Sequence, residues 1–454
     1  MQRVRAGVRI PANTIGVFSD SPFKLKGTSV AFLAFLVYIV CITTVRVTVG
    51  TEAMVLAMLT LFMEKHKLHF PRIVAWAFAL VAWAFVGYAT TVYPSVVLTE
   101  IGEFTKICLV VLVGINVIST RARLRMLLVW TTFWYVAYPM RGTLVNYFIG
   151  GNTLDGRAIW NGVYVNPNDL AGLCLLQLSI CLGLLETEQK KWVKFLNLSG
   201  IVFLPLIIVL TQSRGAFIAL AVTCILLAKQ NWAKVRKRLP LIIALAVVVV
   251  VIAPDVAFKR LTSVSLQFQD LDETAETKVH IDQGSAAQRW LIWKIAGTIF
   301  VENPVTGVGI GAYNRAHVVV AARPEFLGMA MGARDTHSTY LNLLAELGVV
   351  GVLCFVMIVY ITGRTAYQAR TLARASRPAL ANQVLYLEVG LYGYLIAGIW
   401  GTYGKLVPTY FFIAIVYAAS RLLITEVGPV QKARKRRRVL PAPPAPSPVR
   451  EVHA

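Results

Sequence analysis

The side chains best suited to chemistry are His337, Arg214 and Arg289, and each stands where a polar segment meets an apolar run. In Arg334-Asp335-Thr336-His337-Ser338-Thr339-Tyr340 a polar loop gives way to mostly apolar residues from Thr339 to Ile361. A run of that length crosses a hydrocarbon core of about 30 Å at about 1.5 Å per residue, so His337 is expected at one membrane face. The unpaired N–H groups of a helix's first turn disfavour imidazolium, and a neutral ring can accept a proton. An interfacial histidine can equally cap its helix or touch headgroups, so its surroundings decide.

Arg214 lies in the tight link Gln212-Ser213-Arg214-Gly215 between two apolar runs, on the side where orientation signals disfavour a cation. A guanidinium forks onto two oxygens of one phosphate, which suits a diphosphate at the outer face; a partner carboxylate or a headgroup is the plainer alternative. Arg289, beside Trp290, is either a second such cation or a snorkelling side chain. Arg141, Arg157, Arg323, Arg334 and Lys405 are further outer cations, for which headgroup contacts are the default. Asp335 can orient the His337 ring or bind Arg334. Asn342 and Glu346, four apart, share a helix face and are expected to pin a neighbouring helix. Glu103 and Lys106, three apart, are expected to pair. His280 and His317 lack metal-ligand spacing and read as surface residues.

Positioning these groups requires a membrane scaffold. With 57% hydrophobic residues among 454 and a mean hydropathy of +0.64, the chain could not cover its apolar surface as a water-soluble domain. Its net charge of +23 lies in short clusters between apolar runs, a pattern that orients a membrane protein and argues against nucleic acid. The six cysteines fall within apolar segments and read as buried thiols, with neither disulfides nor zinc. The fold class expected is an all-α polytopic membrane protein with about 12 transmembrane helices, at 28–47, 50–63, 73–92, 96–119, 126–140, 169–186, 195–211, 215–228, 240–253, 338–361, 384–400 and 406–424. Basic clusters follow each even-numbered run, which puts both termini in the cytoplasm.

The resulting plan is a cytoplasmic N-terminus (1–27), nine crossings (28–253), a long outer loop (254–337), three crossings (338–424) and a basic, Pro-rich disordered cytoplasmic tail (425–454). Within the loop, Trp290, Trp293, Gly297 and Phe300 recur at helical spacing, consistent with an amphipathic helix on the membrane surface or an ordinary packing helix. Asn303-Pro304 ends it, and Gly307-Val308-Gly309-Ile310-Gly311 can either present backbone amides to an anion or simply turn. No Walker loop or HExxH motif is present, which speaks against an ATP-driven pump.

Taken together, Gln212-Ser213-Arg214-Gly215, the Arg289-Trp290 to Trp293 helix with Glu302-Asn303-Pro304 and the glycine run, and His337-Ser338-x-Tyr340-Leu341 to Glu346-Leu347-Gly348 resemble the O-antigen ligase and polymerase superfamily. Asn166-Pro167-Asn168-Asp169-Leu170-Ala171 is similar to a further element of it, so the likeness runs in order over about 160–350. The twelve-helix plan with one long late loop looks most like the ligase branch.

That resemblance implies a bacterial inner-membrane glycosyltransferase, its active site facing the periplasm, moving O-antigen from undecaprenyl diphosphate to lipid A-core. The residues suit that chemistry, with His337 the expected general base for an inverting transfer. Arg214, Arg289, Arg157, Arg334, Tyr340 and Asn168 become candidate diphosphate or substrate contacts, with no metal and no cofactor. A polymerase or protein O-oligosaccharyltransferase of the same superfamily, or a lipid-linked oligosaccharide flippase, are the alternatives.

Overall fold

The computed structural model describes residues 28–45, 48–63, 68–230, 286–326 and 331–439, with isolated positions at 18, 21–23 and within 232–252. The chain is an all-α membrane protein; among the described residues there is no strand. Its helices are α1 (Val30–Thr43), α2 (Val49–Met63), α3 (Arg72–Thr90), α4 (Pro94–Val117), α5 (Arg121–Tyr135), α6 (Arg141–Phe148), α7 (Pro167–Thr187), α8 (Lys191–Leu210), α9 (Arg214–Gln230), α10 (Ala286–Glu302), α11 (Tyr313–Ala321), α12 (Thr339–Ala373), α13 (Pro378–Ala397) and α14 (Val407–Val439). Every expected apolar run except 240–253, which is described only at isolated positions, falls on one of these helices. Among the described residues, α3, α7, α8, α12 and the Val407–Gly428 part of α14 are long and apolar enough to cross a bilayer; α1 and α2 are apolar but shorter.

Helix starts follow from local chemistry. Asn166 caps α7 by accepting the Asn168 amide at 2.9 Å, with Pro167 in the first turn, where its missing N–H costs nothing. Thr120 caps α5 in the same way. The run expected to stop at Met140 continues through one wide turn, Val136–Met140, into α6. Pro139 lies inside that turn, and an extra residue per turn relieves the clash of a proline ring with the preceding carbonyl. α14 runs to Val439, beyond the point where a disordered tail was expected. No proline interrupts 430–440, and Lys, Arg, Ala and Gln are good helix formers. The remainder of the tail, and the loop from 253 to 285 with His280, lie outside the described residues.

α12 is broken at Gly348, whose backbone is left-handed (φ +62°, ψ −168°). The break frees helical carbonyls, which need partners in a low-dielectric interior. Val308 N–H donates to Ala345 O at 2.9 Å, Gly309 N–H to Glu346 O at 3.0 Å, and the Trp83 indole to Leu347 O at 2.8 Å. In return Val349 N–H donates to Pro304 O at 2.9 Å. The glycine run is therefore a plug for the break: its Val308 and Gly309 amides are spent on the helix and do not present themselves to an anion.

Beside the break, the buried Glu346 carboxylate is held by Lys405 Nζ at 2.7 and 3.0 Å and by Asn342 Nδ2 at 3.2 Å. Glu346 thus pins the α13–α14 link by an ion pair, and not a neighbouring helix as expected, while Lys405 is an ion-pair partner and not a headgroup contact. Arg323 likewise pairs with Glu302, and Glu103 with Lys106 at 2.7 Å. α10 buries Ile292, Ile295, Ala296 and Ile299 against Tyr313, Ala316, Val320 and Ala345, whereas Trp290 stays 49% exposed. The packing face is therefore the isoleucine stripe, not the tryptophan one. All six cysteines are free thiols; Cys108, Cys174, Cys181 and Cys354 are buried, whereas Cys41 is half-buried and Cys224 is exposed, contrary to expectation.

Candidate active site

His337 sits just ahead of α12: Ser338 is the cap and Thr339 the first helical residue. The chain on both sides is fastened. The Trp293 indole donates to Thr336 O at 3.0 Å, the Thr339 amide to Gly398 O at 2.8 Å, and the Thr339 hydroxyl to Gly401 O at 2.7 Å. Between these ties His337 is forced to φ +48°, a left-handed conformation that costs a non-glycine residue about 1–2 kcal/mol. Backbone strain held by rigid neighbours is commonest at functional sites. The histidine side chain is 37% exposed, between buried Thr336 and Ser338, so the ring is reachable.

Its electrostatics differ in origin from the sequence expectation. Burial pushes the His337 pKa down; Asp335 opposes this; Arg289 and Arg334 then lower it further. The ring is therefore neutral near pH 7 because of desolvation and two arginines, with the helix terminus one residue further on. Asp335 Oδ2 lies 3.8 Å from His337 Nδ1 and accepts from the Thr402 hydroxyl at 2.6 Å. Arg334 donates through Nε to Met331 O at 3.1 Å.

The other half of the site forms around the Arg214 turn. Gln212, also left-handed at φ +52°, donates from Nε2 to Gly156 O at 3.0 Å. Arg157 donates from Nε to Thr211 O at 2.8 Å and from Nη2 to Asn168 Oδ1 at 3.0 Å. The Tyr403 hydroxyl closes the group by donating to Asn168 O at 2.7 Å. Arg214 opens α9, and the next residue, Gly215, packs so tightly on Trp400 that a Cβ would lie 2.8 Å from the Trp400 Cβ. Gly is required there for that approach.

The 398–406 link between α13 and α14 therefore touches both halves, through Trp400 and Tyr403 on one side and Thr402 and Gly401 on the other. Arg289 spans them electrostatically, since both His337 and Tyr403 sense its charge. Sequence reasoning missed Trp400, Thr402 and Tyr403. Their one sequence signal was a short polar interruption, Gly401-Thr402-Tyr403-Gly404, between two apolar runs.

Not every expected contact faces the site. The Tyr340 hydroxyl donates to Leu395 O at 2.8 Å, a tie between α12 and α13. The Asn168 amide oxygen is a strut for Arg157. His317 is fully buried, its Nδ1 2.9 Å from Gly332 O, and not a surface residue. Among the described residues no cluster of three or more His, Cys, Asp or Glu is placed to hold a metal. The sequence does hold an Asp-x-Asp spacing in the outer loop, Asp270-Leu271-Asp272, which lies outside the described residues.

Residues 199–356 match the family model described as O-antigen ligase. The match takes in Arg214, Arg289, Asp335, His337 and the Gly348 break, while Arg157, Asn168 and the 398–406 link lie beyond it. No curated protein matches the chain.

Proposed function

Because the chain belongs to the O-antigen ligase/polymerase superfamily, we propose that it is the ligase, transferring O-antigen polysaccharide from undecaprenyl diphosphate to a sugar hydroxyl of lipid A-core at the periplasmic face of the inner membrane. In this reading the chain crosses the bilayer about twelve times, with both termini cytoplasmic and the 254–337 loop over the site. His337 takes the proton of the acceptor hydroxyl, which attacks the anomeric carbon with inversion as the lipid diphosphate departs. Arg214 and Arg289 neutralise charge developing on that diphosphate, with Arg157 and Arg334 adding to the positive field. Both lipid tails stay in the bilayer while the heads meet.

The observation that supports this best is the company of His337: one half-exposed, neutral imidazole with a carboxylate on one side and two guanidinium groups within electrostatic range. A base and cations of that kind serve a reaction in which a hydroxyl is deprotonated and an anion leaves. The experiment mixes purified protein with polyprenyl-diphosphate-linked polysaccharide and lipid A-core in detergent. Polysaccharide on lipid A-core is the ligase outcome. A longer chain still on the carrier is the polymerase outcome, and no covalent product is the outcome for a flippase.

Two further results are expected in the same assay. Arg214→Ala should lose about 10²-fold in kcat/KM, the scale of one charge-stabilising donor at a reacting anion. Arg214→Lys should recover less than a retained charge would give, because an ammonium cannot make the forked contact; full activity in Arg214→Ala would remove it from the site. Product formation should also persist in EDTA, the arginines supplying the positive charge. Loss of activity in EDTA with recovery on adding a divalent cation would overturn that point and direct attention to Asp270 and Asp272.

A further inference from the structure

The mechanism above leaves Asp335 and Thr402 without a part, yet the Asp335 carboxylate lies beside the base on its own segment and Thr402 holds it from another element. Thr402 arrives on the α13–α14 link and its hydroxyl donates to Asp335 Oδ2 at 2.6 Å. The same oxygen stands 3.8 Å from His337 Nδ1. We propose that Asp335, fixed by Thr402, is the positioning residue of the base: it draws the proton of His337 onto Nδ1 and leaves Nε2 bare to receive the acceptor's hydroxyl proton.

A neutral imidazole has one donor and one acceptor nitrogen, and the partner of the donor decides which is which. Asp335 is the carboxylate beside Nδ1, so the tautomer with Nδ1–H is the one it favours. A distance of 3.8 Å is longer than a hydrogen bond, and a small rotation of a half-exposed ring brings the two within reach; such contacts commonly tighten when substrate binds. The backbone restricts what else can move. Thr336 and Thr339, flanking His337, are bound to α10 and to the 398–406 link, so the ring's own side-chain torsions carry the adjustment.

The inference rests on His337 being the base, and the test separates the two. The pH dependence of kcat/KM is measured for wild type, His337→Gln, Asp335→Asn, Asp335→Glu and Thr402→Val, each confirmed as monodisperse with unchanged thermal unfolding. The charged groups facing the ring are Asp335 and Arg334 from its own segment and Arg289 from α10; Asp169, at the start of α7, in turn senses Asp335. Asp335 favours the protonated ring, so removing its charge lowers the pKa.

Asp335→Asn should therefore move the acid limb down by about half to one pH unit, less than a fully buried neighbour would give, and cut kcat about 10- to 100-fold. Asp335→Glu should restore part of the rate and the limb. Thr402→Val should show a smaller loss of the same kind. If His337→Gln keeps wild-type turnover, the base assignment and this inference fall together. If His337→Gln is inactive but Asp335→Asn keeps both rate and limb, the inference alone falls; a rate loss with an unmoved limb, unrescued by Glu, also overturns it, since that is what a structural role would give.

Discussion

His337→Gly is expected to abolish measurable transfer while leaving the protein as stable as wild type, or slightly more stable. The two effects have separate causes. Loss of a positioned general base costs about 10²- to 10⁴-fold in rate, and glycine has nothing to replace it. Stability moves the other way because residue 337 is held at φ +48°, where an L side chain pays about 1–2 kcal/mol and glycine does not. The greater freedom of glycine in the unfolded chain offsets part of that gain, so the net change in unfolding temperature should be small and not negative. His337→Gln, which keeps the strain, should be equally inactive without the stability gain. A fall in stability that tracks the loss of activity would mean that the histidine serves the fold.

The wild-type pH profile should agree with the same assignment. Burial and the two arginines hold the imidazole below its ordinary value of about 6.5, with Asp335 only partly opposing. A base of that kind is competent at neutral pH, so if His337 has the proposed role activity should fall as pH drops through that lowered value. Raising pH from 7 to 8 should change little on that limb. An acid limb well above pH 7 would contradict the balance of charges around the ring.

Most helices were legible because their signal is strong: a long apolar run in a chain that cannot be soluble leaves few alternatives. The residues His337 and Arg214 were legible for a related reason, since a polar or charged group at the edge of such a run is costly and so carries meaning. What could not be read was set by contacts between distant segments. Thr402 and Trp400 reach the site only because the 398–406 link folds over Thr339 and Gly215, and the short polar interruption at 401–404 does not by itself say where it folds. Lys405 looked like a headgroup contact until its buried partner Glu346 was in view. Tyr340 shared a motif with His337, yet one helical turn carries its hydroxyl to Leu395 on α13. The glycine run was ambiguous between anion cradle and turn because either use needs the same backbone freedom; only the break in α12 decides between them.

That break is the second place where a single substitution should have a large effect. Gly348 stands at φ +62°, and a Cβ built there would lie 2.1 Å from Val305 O and 2.8 Å from Pro304 O, both backbone atoms that cannot rotate away. Gly348→Ala therefore meets two penalties: about 1–3 kcal/mol for an alanine in a backbone region that is essentially glycine's alone and about 1–3 kcal/mol for overpacking against rigid neighbours. Relief by letting 339–373 straighten into one helix is not open without further cost. The Val308 and Gly309 amides and the Trp83 indole would lose the Ala345, Glu346 and Leu347 carbonyls, and the Val349 amide would lose Pro304 O. The segment from Thr339 to Leu347 also carries Glu346, whose ion pair with Lys405 holds the 398–406 link, and that link holds Asp335 through Thr402. A shift at Gly348 is thus passed toward His337 through Glu346, Lys405, the link, Thr402 and Asp335. The expected result is a marked drop in the thermal unfolding temperature in detergent, or failure to recover monodisperse protein, with transfer activity lost in whatever folds. Gly363→Ala is a milder comparison on the same helix, since the atom its Cβ would meet is the far end of the Tyr392 side chain, which can turn aside. Equal stability of Gly348→Ala and wild type would show that the two halves of α12 join without the left-handed turn, and the path from the break to His337 would have to be abandoned.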